Sequence, residues 1–391
     1  TAINRVDCFG WDYPLPYSFW SAIGINNDWK GYKPPVARLT YDGCNGSDVY
    51  GFHGDIQREF AMLEHHMLRL PYLMLDKPNV LAIGVGGGVD LFNAIKQGAR
   101  HVTGAELQPV TVDLLKNRLR DFNSGFYHRD DVTLVASEGR HFIRKSTDTY
   151  DLVQVTAVDT FAAQATGAYV LAESYLYTVE AMQDYLRHLS PDGLVTMVVG
   201  DLLVQGELPP LATRLGLIGL RALEAEGVAD PGAHLLVVNS VARGELGQNE
   251  VVMVKKSPFN AEEIRRVKGF VAENGFTMLF APHDPTMPMA AVLGPDEELR
   301  QGTLDAAWFR MEATTDGDPF FYNVGKWSRV SPQKSTVFMM PGSFMGQLVL
   351  VLMVLQSAVL GAALVLFPLA RGAREGLAAP RLASVLAYFL A

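Results

Sequence analysis

Val80-Leu-Ala-Ile-Gly-Val-Gly-Gly-Gly88 decides the fold: a short apolar run enters a glycine-rich turn, and residues 89–97 then carry apolar side chains at helical spacing. Glycine permits the sharp turn and lets backbone approach a ligand with no Cβ in the way. Taken alone such a loop says little, because tight turns use glycine for structural reasons. Its surroundings say more. Residues 101–105 form the next strand, and Glu106 stands at its end, where an acidic residue accepts hydrogen bonds from ribose hydroxyls. A third strand over 132–136 leads into Ser137-Glu-Gly-Arg140, whose Glu138 is placed for an adenine edge. Glycine loop, acid and acid at three successive strand ends make one nucleoside site at the carboxyl edge of a sheet. Its candidate residues are Gly84, Gly86, Gly87, Gly88, Glu106 and Glu138, with Leu107 and Gly139 beside the two acids.

Outward from this loop the alternation continues. A helix is expected over 109–120, another from 139, a fourth strand over 151–155 and an amphipathic helix over 178–189. Ser190-Pro-Asp-Gly193 reads as a turn feeding a strand over 194–199. This rhythm implies a parallel sheet with helices on both faces. A helix near 211–226 follows, then strands over 234–239 and 250–255 whose short, glycine-containing connection suggests an antiparallel pair. Residues 1–60, rich in Gly, Tyr and Trp, read as irregular β-hairpin structure.

The net charge of −9 excludes a nucleic-acid binder, which needs a basic stripe. Two cysteines, Cys8 and Cys44, cannot build a zinc site of the CxxC type, and no metal is expected. The hydrophobic fraction of 49% against 19% charged residues is high for a soluble protein, and its source is local. Residues 344–369 contain no charged side chain. A helix of that length rises about 39 Å, enough to cross a hydrocarbon core of about 30 Å. Arg371, Arg374 and Arg381 follow, and 382–391 begins what reads as a second, truncated span. Lys326, Arg329 and Lys334 precede the first span, so the charge rule for orientation is nearly tied. Cytosolic supply of an adenosyl ligand places the soluble part in the cytoplasm of a multi-pass cell-membrane protein. A start at Thr1 and an apolar end read as a segment cut from a longer polypeptide.

From Glu59 to Gly200 the chain resembles the spermidine synthase family, the polyamine aminopropyltransferases. The likeness is nearest to bacterial membrane proteins with a spermidine-synthase-like domain between transmembrane segments. The carrying stretches are 80–91, 102–109, 138–143 and 150–160, then Leu171-Ala-Glu-Ser-Tyr-Leu-Tyr-Thr178, 189–193 and Thr315-Asp-Gly-Asp-Pro-Phe-Phe-Tyr322. The resemblance implies an α/β, class I S-adenosylmethionine-dependent methyltransferase (Rossmann-like) fold. The expected organisation is a β-rich region over 1–60, the synthase-like domain over 61–325, a juxtamembrane linker over 326–343, a transmembrane helix over 344–370 and the start of a second over 382–391. S-adenosylmethionine or its decarboxylated form is the implied donor substrate, and a polyamine-like amine the implied acceptor. The lipid bilayer is the expected partner of the C-terminal helices, and a homodimer is left open.

The family's residues carry over unevenly. Its ribose-binding acid matches Glu106, and its adenine-side acid matches Glu138. The carboxylate that holds the amine of decarboxylated S-adenosylmethionine is replaced by Gly87. Of two aspartates after the fourth strand the first is Thr156, and only the second, Asp159, remains as the implied catalytic base. An altered helix motif appears as Leu63-Glu-His-His-Met67, which makes His65 and His66 weak candidates for the acceptor side, along with Tyr175. Asp90 has two readings: a negative charge near the sulfonium, or a helix-start residue favoured by the dipole. Three functions therefore stand: a membrane-tethered aminopropyltransferase, a small-molecule methyltransferase on the same fold, and a catalytically degenerate cofactor-sensing module. Gly87 suits the second, because a carboxylate there repels the carboxylate of intact S-adenosylmethionine. Thr156 suits the third.

Overall fold

The computed structural model describes residues 5–10, 29–41, 45–158, 172–201, 207–240, 248–326, 328 and 344–372. Strands β1 (Val6–Phe9), β2 (Val36–Tyr41) and β3 (Asn45–Tyr50) form a separate antiparallel sheet in that order. The remaining strands are β4 (Asn79–Ile83), β5 (His101–Glu106), β6 (Val132–Ala136), β7 (Tyr150–Thr156), β8 (Leu189–Asp201), β9 (Leu235–Asn239), β10 (Gln248–Lys255) and β11 (Thr277–Phe280). They build one eight-stranded sheet in the order β11-β9-β10-β8-β7-β4-β5-β6. Pairs β4–β5, β5–β6, β4–β7 and β7–β8 are parallel.

This order explains where a ligand belongs. From β4 the chain moves outward to β5 and β6, then returns to β7 on the other side of β4. The carboxyl end of β4 is therefore the topological switch point, the crevice where such sheets bind ligands. The glycine loop leaves β4 there.

Alternation along β4 assigns each side chain to a layer. Val80 and Ala82 enter the core beneath α1 (Val89–Lys96), while Leu81 and Ile83 enter the opposite core. In the first layer Phe92 of α1 is stacked between Phe60 and Phe126, with ring centroids 4.4 and 3.8 Å away. The second layer is filled by α2 (Gly139–Lys145), α3 (Val179–Arg187) and α4 (Pro210–Ala225), through Ile143, Met182, Tyr185, Leu215 and Ile218.

The α/β Rossmann-like arrangement agrees with the sequence, but the sheet is mixed. The expected antiparallel pair is present as β9–β10, and β10 also joins β8 antiparallel. The short strand β11, beyond α5 (Ala261–Glu273), adds an edge that the sequence did not announce. Residues 190–193 lie within β8: the register passes from Tyr150↔Leu189 to Leu152↔Leu194. Pro191 lacks an amide donor and Gly193 relaxes the backbone, so the expected turn is absorbed as a bulge. The expected helix over 109–120 is present as a short α-helix, Pro109–Asp113, that widens into a π-helical segment over Leu114–Arg118.

Two arginines bind the segment 310–325 onto the sheet domain. Arg214, fully buried on α4, donates to the carbonyls of Arg310, Glu312, Phe320, Phe321 and Asn323. Phe321 stacks on Tyr177 with centroids 4.5 Å apart. Asp316 meets Arg140.

The helix α6 (Phe344–Gly372) runs for 29 residues. Its side chains are described over 351–364 and at 367, all exposed, a stretch shorter than a bilayer crossing. Among residues so described, no helix is long and apolar enough to cross a membrane. The second span expected over 382–391 and most of the linker lie outside the described residues.

Candidate functional site

The ends of β4 and β5, the start of α1 and strand β3 meet at the loop 84–88. Every loop glycine amide has a partner within the protein. Gly84 N donates to Ala105 O at 2.8 Å, Gly86 N to Glu106 Oε2 at 2.9 Å, Gly87 N to Ser47 Oγ at 2.7 Å and Gly88 N to Val85 O at 2.8 Å. Gly88 takes φ +94° as the cap of α1, a conformation that L side chains rarely adopt. Gly87 is fixed by contact instead: a Cβ there would lie 1.9 Å from the Asp48 carbonyl oxygen in β3.

These partners narrow the ligand class. Loops that bind phosphate leave their amides open to it. Here a buried carboxylate and a serine hydroxyl occupy them, and a phosphate would face Glu106 directly. The arrangement suits an uncharged or cationic nucleoside and not a dinucleotide.

Glu106 is 5% exposed at the end of β5, and its other oxygen accepts from Gln108 N at 2.9 Å. Burial raises its pKa, while the amides of Gln108, Gly86 and Val85 pull the other way. Tyr41 of β2 is bonded to Thr111 at 3.2 Å, and burial together with the charge of Glu106 raises its pKa. The hairpin thus covers this side of the crevice with Ser47 and Tyr41. Leu107, the next residue after the acid, is 43% exposed.

Glu138 caps α2: its exposed carboxylate accepts from Arg140 N at 2.9 Å and His141 N at 2.6 Å. Gly139 is pressed against β4, since a Cβ would meet Ile83 Cγ2 at 2.1 Å. Arg140 is buried and makes a bidentate pair with Asp316 at 2.6 and 2.9 Å, a bond to Asp184 at 2.9 Å and one to the Tyr175 carbonyl at 3.2 Å. Tyr175 itself is 44% exposed.

Asp90 lies in the first turn of α1 and is buried, and its Oδ1 accepts from Thr156 Oγ1 at 3.1 Å. The histidines belong to the helical layer: His66 accepts from Leu68 N at 3.0 Å, and His65 is bonded to Asn274 at 3.1 Å and packs on Trp29. Their described partners are not on the loop. Asp159 falls outside the described residues. Among the described residues no group of three or more His, Cys, Asp or Glu is placed to hold a metal.

Residues 61–209 match the family model described as the spermine/spermidine synthase domain. The chain is similar to that family over this segment. Two curated proteins of the same kind are similar to the chain. The polyamine aminopropyltransferase of Sulfolobus acidocaldarius is 26% identical over 149 residues, 37% of this chain and 47% of that protein. That of Thermoplasma volcanium is 26% identical over 188 residues, 47% of this chain and 64% of that protein. The chain therefore spans between about half and two thirds of the length of these curated relatives. A solved structure of a probable spermidine synthase from Corynebacterium glutamicum is 16% identical and covers 75% of this chain and 92% of its own, with a TM-score of 0.46.

The matched segment ends at 209, before β9, β10 and β11, although these strands complete its sheet. Of the residues singled out in the sequence, the structure joins Glu106 to the loop and sets Glu138 at the start of α2. Sequence reasoning missed Ser47, Tyr41 and the Arg140–Asp316 pair, which come from distant parts of the chain.

Proposed function

We propose that this chain is a transferase of the aminopropyltransferase type, using S-adenosylmethionine or its decarboxylated form as donor and a polyamine-like amine as acceptor. The observation that carries the reading is the Glu106 carboxylate, buried at the switch point and turned onto the glycine loop. A carboxylate so placed binds paired ribose hydroxyls by charge-assisted hydrogen bonds. Glu138 is assigned to the adenine side and Leu107 to the wall beside the base. The bound donor supplies a sulfonium that activates its neighbouring carbon. The protein's part is to hold the nucleoside, bring a neutral amine in line and accept its proton, a role for which the resemblance offers Asp159.

One observation favours a second reading, a small-molecule methyltransferase. Position 87 has no space for an amine-holding carboxylate, because β3 backbone stands there. Without that negative charge, intact S-adenosylmethionine is an acceptable donor.

The reading extends to the membrane. A helix of the length of α6 rises about 43 Å, beyond the roughly 30 Å hydrocarbon core. We place it in the bilayer, with the synthase domain on the cytoplasmic side where an adenosyl donor is made. Flotation of the full chain with lipid vesicles tests the tether, and recovery in the soluble fraction would sink it.

Calorimetry of the chain with S-adenosylmethionine, its decarboxylated form and methylthioadenosine separates the transfer readings. Preference for the decarboxylated form, with product from putrescine, supports aminopropyl transfer. Binding of intact S-adenosylmethionine alone supports methyl transfer. Absence of binding to all three would refute both.

A further inference from the structure

Asp90 is a carboxylate that nucleoside binding does not require. It is 2% exposed, and among the described residues no Lys, Arg or His is paired with it. Its hydrogen-bond partner is the hydroxyl of Thr156. An uncompensated buried carboxylate costs several kcal/mol, and proteins concentrate such groups at working sites. The surroundings are polar in a specific way. On β7, Gln154 and Thr156 share one face, two residues apart. The Tyr72 hydroxyl donates to Gln154 Oε1 at 2.6 Å, and Gln154 Nε2 is buried with no partner among the described residues. Below them β4 contributes apolar Val80 and Ala82. Thr156 is the member at the strand's end, half-buried, where the carboxyl edge opens.

The geometry points to Asp90 as the proton-holding group of the acceptor site, acting through the Thr156 hydroxyl. This inference rests on the proposed transfer to an amine. An N–H bond of the acceptor ammonium breaks as its proton passes to Thr156 Oγ1. The hydroxyl's own proton passes to Asp90 Oδ1, which becomes a carboxylic acid. The freed nitrogen lone pair forms the new N–C bond while the donor's S–C bond breaks and its electron pair stays on sulfur. Asp90 is thus a positioning residue behind Thr156, and the strand-end threonine serves where a direct carboxylate would otherwise stand. Burial lifts Asp90 from 3.8 to about 6, partly opposed by the bond from Thr156. That narrows the gap to an alkyl amine at about 10.4. Tyr72 is held well above its ordinary value by burial and by the charge of Asp90, so Asp90 is the member of this cluster that titrates near neutrality.

The test uses the full chain with decarboxylated S-adenosylmethionine and putrescine, following kcat and KM from pH 5 to 9. The wild type is expected to lose kcat as pH falls through about 6, because protonated Asp90 cannot accept. Asp90→Asn and Thr156→Val are each expected to lower kcat about 100-fold and to remove that limb, with KM for the donor little changed. The double variant is expected to be no worse than either alone, as residues acting as one unit behave. Thr156→Ser keeps a hydroxyl and is expected to retain both rate and limb. If Asp90→Asn does not fold, Thr156→Val carries the test, since it breaks the relay at its other end. An active wild type with an unchanged pH profile in these variants overturns the inference and leaves the transfer reading standing. A wild type that binds donor but forms no product from any amine overturns both.

Discussion

The carbonyl oxygen of Asp48 stands 1.9 Å from where Gly87 would carry a Cβ. Backbone cannot yield as a flexible side chain can, so the hairpin and the loop determine each other's composition. Gly87 is therefore a steric consequence of the β3 approach, reinforced by its amide bond to Ser47. Restoring a carboxylate there is expected to fail. Gly87→Asp and Gly87→Ala should each destabilise the fold by about 1–3 kcal/mol through overpacking, read by urea unfolding. Ser47→Ala removes only the hydroxyl and should cost about 1 kcal/mol.

Glu106 makes the clearest binding prediction. Glu106→Ala should weaken every adenosyl ligand by about 10- to 100-fold, the worth of hydrogen bonds to a charged group. Calorimetry with methylthioadenosine measures it directly, and equal loss across donors is the diagnostic pattern. Loss for one donor only would place the carboxylate elsewhere than at the ribose.

Asp90 also links stability to pH. Its folded pKa of about 6 lies above the ordinary 3.8, so the native state holds the proton more firmly than the unfolded chain does. Between pH 4 and 6 stability is expected to fall as pH rises, by about 2–3 kcal/mol, and the penalty then stays at higher pH. Asp90→Asn should lack this slope and be more stable than wild type at pH 8. Unfolding curves at pH 4, 6 and 8 check the sign.

The Arg140–Asp316 pair is expected to hold the segment around Asp316 against 174–180. Asp316→Ala should cost about 1 kcal/mol, discounted because the aspartate is partly exposed. Amide hydrogen exchange should rise at Ser174, which donates to Pro319 O, and at Val179, which donates to Thr314 O. Arg140 holds the Asp316 carboxyl below the ordinary carboxylate range, so this contribution persists through neutral pH and is lost only in strong acid.

Arg214→Met should be far more damaging, about 3 kcal/mol or more, because it strands several buried carbonyls that share one donor. A lowered thermal midpoint with unchanged donor affinity per folded molecule is the expected signature.

The parts legible in the sequence were those written in short-range periodicity. Val80, Leu81, Ala82 and Ile83 announce a buried strand, and Glu106 is conspicuous as an acid ending an apolar run. Both stay within one strand–turn–helix unit. The hydrogen bond between Asp90 and Thr156 needs α1 packed on β7, and that between Arg140 and Asp316 joins residues 176 apart. No local pattern encodes either. Ser190-Pro-Asp-Gly193 misleads for a related reason: its residues favour a turn, but Leu189 before them and Leu194 after them both pair with β7, so the stretch is held as a bulge between two paired positions of one strand.

Arg214 gives the domain a physical limit that differs from its family limit. The carbonyls it gathers begin at Arg310 and end at Asn323, and Lys326 donates to the carbonyls of Leu304 and Ala307 just beyond. A fragment cut at 209 would leave β8 without β10 and would expose the α4 face of the core. Among the described residues, the contacts that close the domain run through Lys326. Whatever pulls on α6 therefore pulls on a segment latched, through Asp316 and Arg140, to the residue next to Gly139.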